Sequence, residues 1–480
     1  MARDTPKALS IMPDGSVNAA RPGRSPGALR STSYRIPRNN ARSQTPGNTE
    51  LYRAPLRNAI QATRQLLAWL DHQSGSRSER PHVTTNNKAL PVLAVLVTAC
   101  FLPTEARAQT IPNGAAIDAE VNKLMTRTSA KGMAVAVIDH GKVGYVHAYG
   151  IRNTKGDPLT IDTVMYGASL TKTVFAYTVM QLVDQGKLKL DTPMKEDLDN
   201  PLPSYGPDPV FPDKYGPYKD LADDSRWQKI TPRMSLTHST GFANFWFIEP
   251  DHKLHIHFEP GARFNYSGEG FILLQFVIEH GRKAQGLGVD LGDLTRANFD
   301  RLGMTRTSLV WRDAFAENVA DGWNDQGEIQ EHDQRSKVRV AGSMDTTISD
   351  LPKFVAALVR GDGLSAASRA EMTKPLLHIT TAHQFPPFLP DLPASEQRKD
   401  LYAGLGVVVF DGPQGHGFYK GGHDGQTANA MVCIEASQRC VLILSNDVRS
   451  EAGFADLVRF ILGDTAVPYD WEYGDHAGKS

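Results

Sequence analysis

The chain has 480 residues with 52 Lys+Arg against 53 Asp+Glu, a formal net charge of −1. Its length exceeds what one hydrophobic core usually serves, and 40% apolar with 22% charged residues is ordinary for a globular protein. The near-neutral total hides an asymmetry. Residues 1–82 carry 13 Lys+Arg against 5 Asp+Glu, a net +8; residues 83–108 add +1; residues 109–480 are left with −10. A domain that acidic is a poor partner for nucleic acid, so that class is set aside.

Residues 1–82 are rich in Arg, Pro, Ser, Asn and Gly, a composition that reads as disordered. Only 56-LRNAIQATRQLLAWLD-71 has the pattern of a short amphipathic helix. The stretch 88-KALPVLAVLVTACFLPTEARAQ-109 has one positive charge, a short apolar core, Pro103 as a breaker and Ala106-Arg107-Ala108 before Gln109. Those are the parts of a secretory signal spanning 83–108, cleaved after Ala108, with a core too short to cross a bilayer. A signal belongs at a chain start, so the expected translation start is internal and 1–82 is an extension ahead of it. The expected location is the periplasm or the cell exterior. A rival reading is a bacterial lipobox at Val97-Thr98-Ala99-Cys100, which leaves a lipid-anchored Cys100 and the one route to a membrane.

In the mature region, 109–480, a helix is expected over 114–130. The apolar runs 133-MAVAVID-139 and 143-VGYVHAYG-150 flank His140-Gly141 and form a hairpin whose first strand is buried on both faces. Ser169 then opens a helix. Val174, Phe175, Thr178, Val179, Leu182 and Val183 line one face of it, and Gly186 stops it. Residues 191–260 read as loops and short helices. A helix follows over 268–280, ended by Gly281, and another over about 350–360, capped by Ser349. Strands return at 403–411, 428–436 and 440–446, and a last helix covers about 451–462. The fold class is therefore α/β (α+β). An antiparallel sheet from 109–165 and 400–465 is flanked by terminal helices, with a mainly helical region over 166–399 inserted between.

Cleavage after Ala108 leaves Cys433 and Cys440, on two strands around a short polar turn at Ala436-Ser437. They are placed for a cross-strand disulfide in an oxidising compartment, or else for two buried thiols. Neither has neighbours that suggest zinc. His252, His255 and His257 alternate as on a strand and lack an acidic partner at a recognised spacing, so no metal is expected. No organic cofactor is expected either.

The chemistry gathers around 166-YGASLTKTVFAY-177. Lys172 follows Ser169 by three residues, which puts its amine on the same helical face as the hydroxyl. A lysine serves as base for a serine once burial lowers its pKa, and a helix N-terminus favours the charge that develops when a carbonyl is attacked. Alone, the tetrapeptide reads as an N-cap serine with a solvated lysine. Four further segments change that: 230-ITPRMSLTHSTGF-242, 258-FEPGARFNYSGEGFILL-274, 341-AGSMDTTISDL-351 and 421-GGHDGQT-427. In order and spacing they resemble the serine β-lactamase and penicillin-binding-protein superfamily, nearest to the class C-like serine hydrolases and esterases, over about 115–465.

The resemblance implies roles. Ser169 matches the acylated nucleophile and Lys172 the lysine that helps deprotonate it. Tyr266 matches the tyrosine of the Tyr-x-Asn element, which acts as general base with the lysine and then protonates the leaving group. A tyrosine is a poor base at neutral pH, so its pKa is expected to be depressed beside Lys172. His423-Asp424-Gly425 matches the Lys/His-x-Gly strand element, with Lys420-Gly421-Gly422 a second reading of it. His423 is preferred because Gly425 then precedes the strand. The backbone N–H groups of Ser169 and Gln426 would form the oxyanion hole, and His238 is a support.

Two departures from the family pattern stand out. Gly268 replaces the Asn that contacts a substrate amide, with Asn265 and Glu269 nearby, and 238-HSTG-241 transposes Thr and Ser. The expected function is a serine hydrolase acting through a Ser169 acyl-enzyme on a small ester, amide, β-lactam or D-amino-acid-type peptide. The alternatives are a carboxylesterase without β-lactamase activity and a non-catalytic sensor or binding domain that keeps the pocket.

Overall fold

The computed structural model describes residues 110–473. The expected extension over 1–82, the leader over 83–108 and Cys100 lie outside the described residues. Among those described, no helix is long and apolar enough to cross a membrane.

Helix α1 (Gly114–Thr128) begins where the Asn113 side chain accepts from the Ala116 amide at 3.0 Å, and it buries Ile117, Val121 and Leu124. Strands β1 (Gly132–Asp139) and β2 (Lys142–Gly150) form the expected hairpin. The nucleophile helix α2 (Thr171–Asp184) follows, and Gly186 takes a left-handed φ of 68° just beyond it. Next come α3 (Gly268–His280), α4 (Leu291–Arg301) and α5 (Leu351–Arg360). Between 191 and 260 there are only short helical turns. Asp350, not Ser349, stands at the N-cap of α5, because the Ser349 hydroxyl donates to Asp162 Oδ1 at 2.7 Å.

The sheet is completed by β3 (Leu377–His378), β4 (Leu401–Ala403), β5 (Val408–Gly412), β6 (Gly415–His423), β7 (Ala428–Ile434) and β8 (Arg439–Ser445), and the chain then enters α6 (Phe454–Leu462). The strand order is β2-β1-β8-β7-β6-β5-β4-β3, antiparallel throughout. β1 therefore pairs with the last strand, Met133 opposite Ser445 and Ile138 opposite Cys440.

Alternation divides β1 between two cores. Ala134, Ala136 and Ile138 pack with α2, α3 and α5; Met133, Val135 and Val137 pack with α1 and α6. Each fully buried side chain of the size of Phe175 or Phe454 contributes about 2–3 kcal/mol of hydrophobic stabilisation. Cys433 and Cys440 face each other across β7 and β8 and are joined by a disulfide.

The single strand expected over 403–411 is broken between β4 and β5. There Gly406 takes φ 73° and its amide donates to Leu236 O at 2.9 Å. A Cβ on Gly406 would lie 2.6 Å from Ala176 Cβ, and the Thr173 hydroxyl donates to Gly406 O at 2.9 Å. The break thus lets the backbone of the sheet dock directly on α2.

Candidate active site

Ser169 sits in a single 3₁₀ turn, Ala168–Leu170, that leads into α2, so the α-helix proper begins two residues after it. Ala168 holds a left-handed φ of 46°, a conformation costly for any residue with a Cβ. The turn is pinned from several sides. The Thr171 hydroxyl donates to Ala168 O at 2.6 Å, Met344 N donates to Thr171 Oγ1 at 3.1 Å, and Gly167 N donates to Met344 O at 2.8 Å. The Asn429 amide of β7 donates to Tyr166 O at 3.0 Å.

Lys172 lies on the α2 face below Ser169 and is fully buried. Its Nζ is 3.0 Å from Ser169 Oγ and donates to Ala341 O at 2.5 Å. Tyr266 stands just before α3, and its hydroxyl donates to Ser169 Oγ at 2.8 Å. The Ser267 side chain caps α3 by accepting from Gly270 N at 3.0 Å. The ring of His238 stacks on Tyr266, centroids 4.4 Å apart, and its Nδ1 accepts from Ser267 N at 3.0 Å. Burial, with help from the charges of Lys172 and Lys420, holds the His238 imidazole well below its usual pKa. His238 is therefore neutral and packed, and it holds the tyrosine in place.

The second amine of the site is Lys420 on β6, the residue of the alternative motif reading. It is buried, and its Nζ lies 3.4 Å from the Tyr266 hydroxyl and donates to Gly421 O at 2.6 Å. Two residues on, a Cβ on Gly422 would lie 3.1 Å from Ser169 N, 3.0 Å from Leu170 N and 2.9 Å from Gly167 O. Only glycine lets β6 pass so close to the nucleophile turn. Lys420-Gly421-Gly422 is thus the strand segment that runs beside the nucleophile turn, and the expected register, His423-Asp424-Gly425, is corrected by three residues. A Cβ on Gly425 would meet nothing within 4 Å. The Gln426 amide donates to Asp424 Oδ1 at 2.9 Å, so it is committed to the turn and is not an oxyanion donor. The end of β6 at Gly422–His423 is the backbone that faces Ser169 N. His423 lines the cavity, with Nδ1 3.3 Å from Glu451 Oε1. Burial pulls its pKa down, but Glu451 outweighs that and leaves it raised.

The cavity above Ser169 has a volume of about 530 Å³, with Lys172, Asn244, Phe245, Tyr266 and His423 among its walls. Burial, then the charges of Lys420 and Arg339, push Lys172 well below the usual lysine pKa. Burial brings Lys420 down to about 7. Tyr266 behaves opposite to expectation: burial raises its pKa, and the hydrogen bond with Ser169 offsets only part of this. Desolvation disfavours the charged form of each group, so it lowers the pKa of both lysines and keeps the phenol protonated. Burial therefore readies the amines to accept a proton and the phenol to donate one.

Neither residue proposed near Gly268 takes over from the missing Asn. The Asn265 side chain donates to Phe242 O at 3.0 Å and accepts from Phe388 N at 2.8 Å. Glu269 is buried behind the wall, with Oε1 3.5 Å from Trp246 N. A Cβ on Gly268 would meet the Phe245 ring at 2.6 Å, so an aromatic side chain from a neighbouring loop fills that place. Asn244 and Phe245 were missed in the sequence because nothing in their spacing marks a loop that folds over a helix start. Among the described residues, no group of three or more His, Cys, Asp or Glu is arranged to hold a metal ion. His255 and His257 instead pair with Asp251 and Glu249.

Comparison with known proteins bears on the family and the fold. Esterase EstB of Burkholderia gladioli is 30% identical over 136 residues, which cover 28% of this chain and 30% of that protein. Unguisins hydrolase ungD' of Aspergillus campestris (strain IBT 28561) is 25% identical over 325 residues, 61% of this chain and 56% of the relative. The chain thus spans between 30% and 56% of the length of these relatives. Among solved structures, a class C beta-lactamase shares the fold with a TM-score of 0.55 at 19% identity, covering 72% of this chain and 95% of that one. The D-alanine carboxypeptidase AmpC of Burkholderia cenocepacia gives a TM-score of 0.54 at 18% identity, covering 73% and 98%. The family model of the beta-lactamases matches residues 117–464, most of the chain, and the protein belongs to the beta-lactamase family.

Proposed function

We propose that the chain is a serine hydrolase that works through an acyl-enzyme on Ser169. One observation carries the reading: Ser169 Oγ stands 3.0 Å from a buried lysine held toward neutrality and 2.8 Å from a tyrosine hydroxyl held protonated. A neutral Lys172 accepts the Ser169 proton as Oγ bonds to the substrate carbonyl carbon. The oxyanion forms against Ser169 N–H and the end of β6. As the intermediate collapses, the bond to the leaving group breaks. Tyr266 gives that group its proton and is reprotonated from Lys172. Water then adds to the acyl ester by the same relay and frees Ser169. Preorganised donors at the oxyanion are each worth about 10²–10³ in rate.

The substrate class is a small ester, amide, β-lactam or D-amino-acid-type peptide. Phe245 in the place of an amide-contacting Asn favours a carboxylesterase over a β-lactamase, and one relative is named an esterase. The Cys433–Cys440 disulfide supports an oxidising, periplasmic or extracellular location.

The test is intact-protein mass spectrometry of residues 109–480 after a fluorophosphonate and, separately, a penicillin. A stoichiometric adduct absent in Ser169→Ala is expected, with the fluorophosphonate the better reagent. No adduct from either reagent would refute the hydrolase reading and favour a binding domain that keeps the pocket.

A further inference from the structure

A second cavity of about 400 Å³ adjoins the one above Ser169 and shares Tyr166, Phe245, Ala341 and Gly342 with it as walls. Three cations reach it: Arg335, Lys337 and Arg339. Two are already neutralised. Arg335 stacks 3.5 Å over the Tyr166 ring and contacts Asp345 at 3.3 Å and Asp333 at 3.5 Å, and Lys337 pairs with Asp213. Arg339 differs. Its guanidinium lies 5.4 Å from the Phe245 ring centroid; its Nε is enclosed without a partner; and among the described residues the side chain forms no hydrogen bond or ion pair. An enclosed guanidinium donor left unpaired is a cost that the site bears, and the Arg339 side chain itself lines the cavity. The buried carboxyl nearest in effect is Glu269, which feels the charge of Arg339 but makes no ion pair with it.

The position is fixed relative to the chemistry. Gly342 N and Ser343 N both donate to Arg339 O, at 3.0 and 2.9 Å, and Arg339 N donates to Ser343 Oγ at 3.0 Å. The same tight turn presents Ala341 O to Lys172 Nζ. Only Val340 separates Arg339 from Ala341, at most about 7 Å of chain.

We propose that Arg339 is the carboxylate-binding subsite of this enzyme, and that its substrates are anionic esters or amides with a carboxylate a few bonds from the scissile carbonyl. Phe245 forms the wall between the two compartments, so the substrate lies along it with its carbonyl at Ser169 and its carboxylate at Arg339. A planar guanidinium suits a carboxylate in two-point contact, and Arg339 has its donors uncommitted. This assignment rests on the Ser169 hydrolase reading, and the two are separable by experiment.

Three chromogenic esters are compared on residues 109–480: neutral 4-nitrophenyl butyrate, mono-4-nitrophenyl glutarate with the carboxylate on the acyl side, and 5-butyryloxy-2-nitrobenzoate with it on the leaving group. At least one anionic ester is expected to exceed the neutral one in kcat/KM by about 10-fold or more, and Arg339→Met to bring that ratio close to one. Taking the ratio removes any effect of Arg339 on Lys172 that all esters share. In parallel, glutarate is titrated calorimetrically into Ser169→Ala with and without Arg339→Met, and binding weakened about 10-fold or more by the second change is expected. Esters hydrolysed with a ratio that Arg339→Met leaves alone would overturn the subsite and leave the hydrolase standing. Arg339-dependent glutarate binding with no ester turned over would keep the subsite and overturn the hydrolase. Neither turnover nor binding would overturn both.

Discussion

Replacing Gly422 with Ala tests which glycine of 420-KGGHDG-425 belongs to the catalytic strand. The new Cβ would stand 2.9–3.1 Å from three backbone atoms, Gly167 O, Leu170 N and Ser169 N, none of which can swing aside. Ordinary contact needs several tenths of an ångström more, so either β6 or the nucleophile turn must move. Overpacking of this kind costs about 1–3 kcal/mol. For a domain of roughly 360 residues that is a fall in Tm of about 1–4 °C. The effect on rate is larger. The methyl would push apart the two backbone segments proposed to hold the oxyanion, and losing one such donor lowers kcat by about 10²–10³. Gly422 lies in extended strand, so a loss cannot be blamed on backbone conformation. Gly425→Ala is the control, because its Cβ meets nothing within 4 Å; its stability should stay within about 0.5 kcal/mol. The assay is kcat/KM on 4-nitrophenyl acetate with Tm by scanning fluorimetry. A crippled Gly425→Ala beside an active Gly422→Ala would refute the Lys420-x-Gly422 register.

Three further predictions follow from the buried amines and the disulfide. Hydrolysis should rise with pH along a limb well below 10.5 as Lys172 loses its proton; Lys420→Met removes a like charge, raises the Lys172 pKa and moves that limb to higher pH in a kcat/KM profile. The same variant should flatten the stability profile: between about 7 and 10.5 the unfolded chain binds the Lys420 proton and the folded one does not, so urea midpoints rise with pH in the parent and less in Lys420→Met. A fully parallel pair of profiles would contradict the assigned burial. Reducing Cys433–Cys440, which closes a loop of sequence separation 7, should cost about 2.5 kcal/mol in a urea titration; unchanged midpoints would show that the hairpin is held by its packing alone.

Much of this site was legible in the sequence. Ser169 stands just before a helix with a clear apolar period and Lys172 one turn on, but Tyr266 and His238 stand out only through the resemblance of their segments, in order and spacing, to the family's motifs. The strand motif was ambiguous for a physical reason. In 420-KGGHDGQT-427 two glycines sit at matching offsets, and only the pairing of β6 with β7 shows that the strand ends at His423 and that Gly425 lies in the turn. The lowered pKa of Lys172 was anticipated, but that of Tyr266 shifts the other way, because spacing says nothing of depth: Tyr266 was expected to lose its proton beside Lys172, yet both are buried, and burial opposes charge on each. The sheet's β3 and β4 were missed at two and three residues each, too short for alternation to register. Phe245 and Arg339 act through tertiary approach alone, one over Gly268 and the other across Phe245.

The pairing of β1 with β8 sets a timetable for synthesis. Val135 and its neighbours on β1 are made early, yet their partners, up to Ser445, leave the ribosome about 300 residues later. At 5–20 residues per second that is a wait of about 15–60 s. Throughout it, an apolar strand meant to be covered on both faces has one edge open, and for most of it Lys420 has not been made. A nascent chain of this protein is therefore both catalytically silent and adhesive until its final hundred residues emerge, which makes the closing strand the moment at which solubility and chemistry arrive together.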